Sequence, residues 1–205
     1  MKRPLPAAPI PSLARIDLVV VDVETTGWLP EEAAITEIGA VRLSAGHPAG
    51  EFSSLVNPGR AIPPEIARLT GITDALVSQA PPIDAVLPWF LAFASGCVLA
   101  AHNAPFDVGF LSAACRSCGV DWPAFAVIDT AVLARLVVGS EAGAASVPDC
   151  KLATLAEYFA AKTRPCHRAL ADARATADVL AGLLGLLAAP RPHALAGSVP
   201  GRLSA

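Results

Sequence analysis

The sequence has few aromatic residues, little charge and no long apolar run, and each shortage excludes a class of protein. Aromatic residues make up 5% of its 205 residues and charged residues 16%, against 54% hydrophobic residues. A chain this apolar is not intrinsically disordered, because it has ample surface to bury in a core. The longest apolar run covers residues 179–189, and a membrane span needs about 20 residues. We therefore expect a helix-rich globular protein in the cytoplasm, with no membrane contact.

The number of cysteines and the net charge exclude two further classes of protein. The five cysteines are an odd number at irregular spacing, which argues against a disulfide framework and favours free thiols. The net charge of −3 argues against the extended basic face with which proteins coat duplex DNA. A small site that holds one strand end stays compatible with this charge, especially if bound cations supply the positive charge.

The order of the predicted elements indicates one mixed α/β domain. β-Branched and apolar runs predict strands at 16–23, 35–43, 51–56, 97–102 and 126–129. The first three follow one another closely, as antiparallel strands do, whereas helical patterns separate the last two. This order predicts one mixed sheet with helices on its faces. We assign residues 15–189 to the domain, 1–14 to a flexible Pro/Ala-rich arm and 190–205 to a tail or linker.

Acidic residues stand at the ends of several predicted elements. Asp22 and Glu24 lie two residues apart on the first strand, so both carboxylates project from one face. Such a pair either binds a cation, takes up protons or is simply solvated. Asp107 falls in the first turn of a helix that begins near Pro105, where the helix dipole also favours an ordinary acid.

His167 and Asp172 lie around the start of the last predicted helix. Five residues correspond to about 140° of rotation, so the two would not share a helix face. They can meet if His167 lies in the preceding loop and Asp172 one turn inside, which suits His167 to general-base work. In α/β proteins, ligand-binding sites form at the carboxyl ends of strands and the N-termini of helices, which is where these acids lie. Carboxylates are suitable ligands for Mg²⁺ or Mn²⁺.

Three segments carry a family resemblance: VDVETTG at 21–27, HNAPFD at 102–107 and HRALAD at 167–172. They resemble the three motifs of the DEDDh (DnaQ-like) 3′-5′ exonuclease superfamily, and most closely the epsilon-type proofreading exonucleases of bacterial DNA polymerase III. ITEIGAV at 35–41 and LTGIT at 69–73 resemble the segments between those motifs. The resemblance covers residues 16–188 and implies an α/β, RNase H-like (exonuclease) fold with a five-stranded mixed sheet flanked by helices.

The resemblance also implies roles for individual residues. Two Mg²⁺ or Mn²⁺ ions would share Asp22, with Glu24 and Asp172 completing one metal site and Asp107 holding the second ion. His167 would deprotonate the water that attacks the terminal phosphodiester, and 5′-mononucleotides would leave. The substrate-binding residues would be Thr25, Thr26, Gly27, Trp28, Asn103 and Phe106. Among them, Thr26 would contact the 3′-hydroxyl, and Trp28 would stack on a base or belong to the core or a lid.

Three functions remain open at this stage. The favoured substrate is the 3′ end of single-stranded DNA, in proofreading or repair; RNA or very short oligonucleotides are the alternative. The third is a non-catalytic nucleic-acid-binding or scaffold module of a larger nuclease. A polymerase, or a fused nuclease or helicase, is the expected partner. Five cations between Lys151 and Arg174 would form a basic strip along the strand backbone, or only a solvated helix face.

Overall fold

The computed structural model describes residues 16–139 and 147–188. The predicted arm at 1–14 and tail at 190–205 lie outside the described residues, so both assignments stay predictions. Across the two described ranges, no helix combines the length and the apolar character that crossing a membrane requires. The cysteines at 97, 115, 118, 150 and 166 are free thiols, as expected.

A five-stranded mixed sheet forms the centre of the domain, in the order β3-β2-β1-β4-β5. β1 pairs antiparallel with β2, and β2 with β3, whereas β4 runs parallel to both β1 and β5. The predicted mixed sheet and its antiparallel first half are thus confirmed. The strands are β1 (Leu18–Thr25), β2 (Ile35–Ser44), β3 (His47–Leu55), β4 (Val98–Ala101) and β5 (Val127–Asp129).

Helices follow the strands, and local chemistry sets several of their ends. Asp129 caps α5 as its position suggests, since its carboxylate accepts the amides of Ala131 and Val132 at 2.8 and 3.2 Å. Gly71 ends α1 in a left-handed conformation. The helices are α1 (Pro64–Thr70), α2 (Asp74–Val77), α3 (Ile83–Ala94), α4 (Ala104–Ser117), α5 (Thr130–Val138), α6 (Leu152–Tyr158) and α7 (Ala169–Ala188).

Strands β1 and β3 differ most from their predicted bounds. β1 extends to Thr25 rather than ending at residue 23, so Asp22 and Glu24 both lie within the sheet. β3 begins at His47 because Ala45 and Gly46 alone make the turn, with φ values of 52° and 78°. Two left-handed residues suit a tight hairpin, so the connection is much shorter than predicted.

The alternation of side chains along β1 divides the core between the two faces of the sheet. Val19, Val21 and Val23 join a buried cluster with residues of α3 and α4. Leu18 and Val20 face α7 on the other side. Since α5 and α6 also pack against α7, the domain has three layers, with the sheet in the middle. Asp22 and Glu24 continue the α7 side of the strand.

Gly39 on β2 lets α7 approach the sheet closely. It pairs with Asp22 across the β1–β2 ladder. A Cβ at this position would overlap the backbone of Ala169 and Leu170, so any other residue would move the start of α7. Asp172 lies in the first turn of the same helix. The missing side chain therefore brings Asp172 beside the acids of β1.

Candidate active site

A cleft of about 260 Å³ opens at the carboxyl end of β1. The N-termini of α4 and α7 and one face of α1 form its other walls. The fold therefore gathers three segments that lie far apart in the sequence. Of the residues predicted for the site, those that line the cleft are Asp22, Glu24, Thr25, Gly27, Trp28, Asn103, Phe106, Asp107, His167 and Asp172.

Asp107 reaches the cleft from the first turn of α4. Asn103, which precedes the helix, has a left-handed conformation with φ of 66° and turns the chain sharply out of β4. The Asp107 side chain is 2% exposed, and its Oδ1 accepts the amide of Val23 at 3.0 Å. Asp107 therefore connects α4 to the backbone between Asp22 and Glu24.

His167 and Asp172 have the arrangement that their spacing predicts. α7 begins at Ala169, so His167 lies in the loop, exposed and with a left-handed φ of 56°. Asp172 is 7% exposed, and its Oδ1 accepts the amide of Cys166 at 2.8 Å. Ligating atoms of Glu24, His167 and Asp172 all lie within 4.8 Å of one another, a spacing at which they could hold a metal ion.

Burial raises the pKa of every acid in the cleft, and repulsion from neighbouring acids raises that of Asp22, Glu24 and Asp107 further. Burial raises the pKa of Asp107 to about 8, and burial with the nearby Asp172 raises that of Glu24 to about 8. The pKa of Asp22 lies well above its usual range because of burial and then of Asp107 and Asp172. Burial also raises the pKa of Asp172. Clustered acids that repel one another fit a site for divalent cations, whose charge would favour the ionised form.

An apolar wall faces the acids across the cleft. Trp28 is 71% exposed, and its ring centroid lies 6.4 Å from that of Phe106. Phe106 packs in turn on Phe110, with a centroid distance of 4.9 Å. Ile66 and Leu69 of α1 complete the wall. Exposed aromatic rings beside charged groups can stack on a base while the acids face its phosphate.

Comparison with known proteins identifies the family. Residues 19–180 match the RNase T exonuclease family. The chain belongs to this exonuclease family. A Mycobacterium tuberculosis protein named as a bifunctional exonuclease/endonuclease is 52% identical over 180 residues, which are 84% of this chain and 27% of that protein. An epsilon-like DNA polymerase III protein of Rhodobacter capsulatus is 41% identical over 86% of this chain and 25% of its own length.

Other relatives are longer still, and solved structures confirm the fold. A PolC-type DNA polymerase III of Caldanaerobacter subterraneus is 40% identical over 82% of this chain but only 12% of its own length. The chain thus spans at most 27% of these three relatives. Exonuclease X in complex with 5′ overhanging duplex DNA matches with a TM-score of 0.64 and 27% identity, over 82% of this chain and 91% of that one.

E. coli exonuclease I in a complex with single-stranded DNA shares the fold. Its TM-score is 0.71 at 17% identity, over 82% of this chain and 40% of that one. The predicted RNase H-like exonuclease fold is thereby confirmed.

Thr26 is the predicted site residue that does not line the cleft. Its hydroxyl accepts the amide of Ala34 at 3.0 Å, and its own amide donates to the carbonyl of Ala34 at 2.8 Å. These two bonds close the loop that carries Trp28. The structure therefore gives Thr26 a place in shaping the loop, and its contact with a 3′-hydroxyl stays a prediction.

Sequence reasoning missed other residues at the site. Leu69 and Ile66 look like ordinary helix residues in the sequence, and only the exposure of Leu69 within the cleft marks it. His102 also lines the cleft, and its Nδ1 forms a hydrogen bond with the Thr130 hydroxyl at 3.0 Å. Glu37 lies in the ITEIGAV segment, which carried no assigned role.

The predicted basic strip has less free charge than its composition suggests. Arg168 pairs with Glu37, Arg174 with Glu51, and Lys151 with Asp149, at 2.7, 2.6 and 3.7 Å. Glu37 and Glu51, which the fold brings in, and Asp149, a neighbour in the sequence, thus pair with three of the five cations. The domain therefore does not present the whole strip to a phosphate backbone.

Proposed function

We propose that this chain is a metal-dependent 3′-5′ exonuclease that removes nucleotides from single-stranded DNA ends. One observation carries the proposal: Asp22, Glu24, Asp107 and Asp172 meet in a single cleft with His167 at its mouth. The family supports a nuclease. The names of relatives and of a neighbour in complex with DNA support DNA as the substrate.

The four carboxylates would hold two Mg²⁺ or Mn²⁺ ions. Asp22 would be shared, Glu24 and Asp172 would complete one site, and Asp107 would belong to the other. The raised pKa values of these acids support this assignment, because a cation would relieve their repulsion. When bound, such ions make water a stronger nucleophile at neutral pH and stabilise charge on the phosphate.

The side chains of the protein would move the proton and orient the strand. His167 is exposed and would accept the proton of the attacking water as a new oxygen–phosphorus bond forms. The bond from phosphorus to the 3′ oxygen of the preceding nucleotide breaks, and that oxygen takes up a proton. A 5′-mononucleotide leaves, and the strand is one nucleotide shorter. Stacking on Trp28 and Phe106 would give little sequence preference, since every base has an aromatic face.

A second groove would receive the rest of the strand. It has a volume of about 560 Å³ and adjoins the cleft at His102 and Asn103, which line both. Arg135 stands on its wall and could face a phosphate, whereas Lys151 on the same wall pairs with Asp149 at 3.7 Å. A strand whose terminal base lies against Trp28 would have its next nucleotides here.

A gel time course tests the proposal. A single-stranded DNA labelled at its 5′ end, a matched RNA and a circular DNA are incubated with Mg²⁺, Mn²⁺ or EDTA. We expect a metal-dependent ladder that shortens from the 3′ end of the DNA, slower cleavage of the RNA and no cleavage of the circle. Asp22→Ala should abolish the ladder, whereas Asp84→Ala, at an exposed first-turn acid of α3, should not.

Three results of this experiment would contradict the proposal. A labelled mononucleotide as the first product would reverse the polarity. Cleavage of the circle would indicate an endonuclease. No cleavage by the folded protein with either metal would favour a binding module.

We also propose that the domain works beside a polymerase or a second nuclease. The proposal follows from relatives that carry such activities in their names and extend far beyond the matched domain. A replicative polymerase of the same cell, given a primer with a mismatched 3′ end, should extend it faster when the domain is present. Asp22→Ala is the control, and equal extension with both proteins would contradict the coupling.

A further inference from the structure

Glu37 on β2 holds the start of α7 through three hydrogen bonds. Its side chain is 4% exposed. Oε1 accepts Nη2 of Arg168 at 2.7 Å, and Oε2 accepts both Nε of Arg168 and the amide of Ala169, at 3.0 and 2.9 Å. A two-pronged contact of this kind fixes direction as well as distance. The residue immediately before this clamped pair is His167.

The position of Glu37 would be costly if it served only the packing of the sheet. It lies directly opposite Glu24 across the β1–β2 ladder, and like charges in that arrangement repel. Its charge contributes to the raised pKa values of Asp22 and Glu24. Among the described residues, the group that could hold a metal ion consists of Glu24, His167 and Asp172, and Glu37 lies outside it.

The loop that Glu37 holds has a backbone conformation that needs support. His167 has a φ of 56°, which residues with a side chain rarely adopt. Asp172 fixes the residue before it through the amide of Cys166, and Glu37 fixes the two residues after it. Strained conformations persist where surrounding contacts determine them on both sides.

We propose that Glu37 is a positioning residue that keeps the imidazole of His167 at the mouth of the cleft by clamping Arg168 and Ala169. This proposal depends on the proposed function, because that function makes His167 the proton acceptor. Glu37 itself lies outside the set of residues that line the cleft.

Kinetics of Glu37→Gln separate positioning from a general loss of structure. Glutamine keeps the shape but replaces one acceptor oxygen with a donor, so one side of the clamp is lost. By analogy with groups that orient metal-bound histidines, we expect kcat to fall about 10-fold or more, with KM unchanged. In a His167→Ala background the same change should have almost no further effect, because residues that act as a unit are not additive.

Glu51→Gln is the matched control. Glu51 binds Arg174 of the same helix through the same two nitrogen atoms, at 2.8 and 2.6 Å, but on the surface. We expect it to leave kcat unchanged. If Glu37→Gln destabilises the fold, Arg168→Lys serves as a second variant. It keeps the carboxylate of Glu37 but removes the two-nitrogen contact with it, and it should lower kcat in the same way.

A second measurement does not depend on activity. The imidazole Cε1–H signal of His167, assigned with His167→Ala, should shift in Glu37→Gln and stay in place in Glu51→Gln. If this holds while the wild type hydrolyses nothing, the clamp stands and the proposed function fails. If the wild type is active but Glu37→Gln matches Glu51→Gln in kcat and in this signal, the positioning role is refuted. An equal fall of kcat on Glu37→Gln in the wild type and in the His167→Ala background would likewise refute it.

Discussion

Replacing Asp107 with Asn should stabilise the metal-free protein at neutral pH while weakening its binding of Mn²⁺. The carboxyl group is buried, and burial raises its pKa from an ordinary 3.8 to about 8. Between these two pH values the folded protein keeps the proton that the unfolded chain loses. Stability is therefore lost as the pH rises through this window. Asparagine does not titrate, and its carbonyl oxygen can still accept the amide of Val23.

The size of the change in stability follows from the difference between the pKa of Asp107 in the folded protein and in the unfolded chain. For each pH unit within this window, the free energy of unfolding of the wild type falls by about 1.4 kcal/mol relative to a variant with a residue that does not titrate at position 107. Between pH 5 and pH 7 the advantage of Asp107→Asn should thus grow by about 3 kcal/mol. For a domain of this size, that is roughly 6–12 °C in Tm.

Thermal unfolding of both proteins in EDTA at pH 5, 6 and 7 checks the prediction. Asp84→Asn is the control, since Asp84 is also a first-turn helix acid but is exposed. The curves of Tm against pH should diverge for Asp107→Asn and run parallel for Asp84→Asn. Parallel curves for Asp107→Asn would refute the reasoning, because the buried carboxyl would then not hold its proton in the folded state.

Other consequences of the site can be measured directly. Uptake of Mn²⁺ by the wild type should release protons and strengthen from pH 6 to pH 8, which calorimetry in two buffers can show; uptake without proton release would contradict the raised pKa values. His167→Ala should lower kcat about 10²–10⁴-fold with Mn²⁺ affinity intact, and a large loss of affinity would make His167 a metal ligand. Trp28→Ala should raise KM by about 5-fold or more with little change in kcat; equal effects from Trp89→Ala, at another exposed tryptophan, would argue against stacking.

Parts of the site that depend on local periodicity could be predicted from the sequence. Alternation along a strand is enough to place Asp22 and Glu24 on one face. The rotation per residue of a helix is enough to require His167 in the loop if it is to meet Asp172. The structure has both arrangements. Neither depends on how distant segments pack.

Features that depend on distant partners could not be predicted in this way. Glu37 and Arg168 are 131 positions apart, so no local pattern relates them. The pairs of Arg168 with Glu37 and of Arg174 with Glu51 in the basic strip could not be predicted for the same reason, because a charge count along the chain omits acids from distant segments. Leu69 was missed for a related reason: a helix residue belongs to a cleft only once its neighbours are in place.

The absence of a side chain at Gly39 sets how closely the motif on α7 approaches the motif on β1. Any side chain there would move α7 away from β2 and carry Asp172 and the His167 loop with it. All five candidate catalytic residues would still be present in the sequence of such a variant. A homologue that keeps every motif residue but has a larger residue at this position would thus resemble an active enzyme when its motifs are inspected, while its acids no longer meet. Classifying relatives as active or inactive therefore requires reading a position that has no side chain.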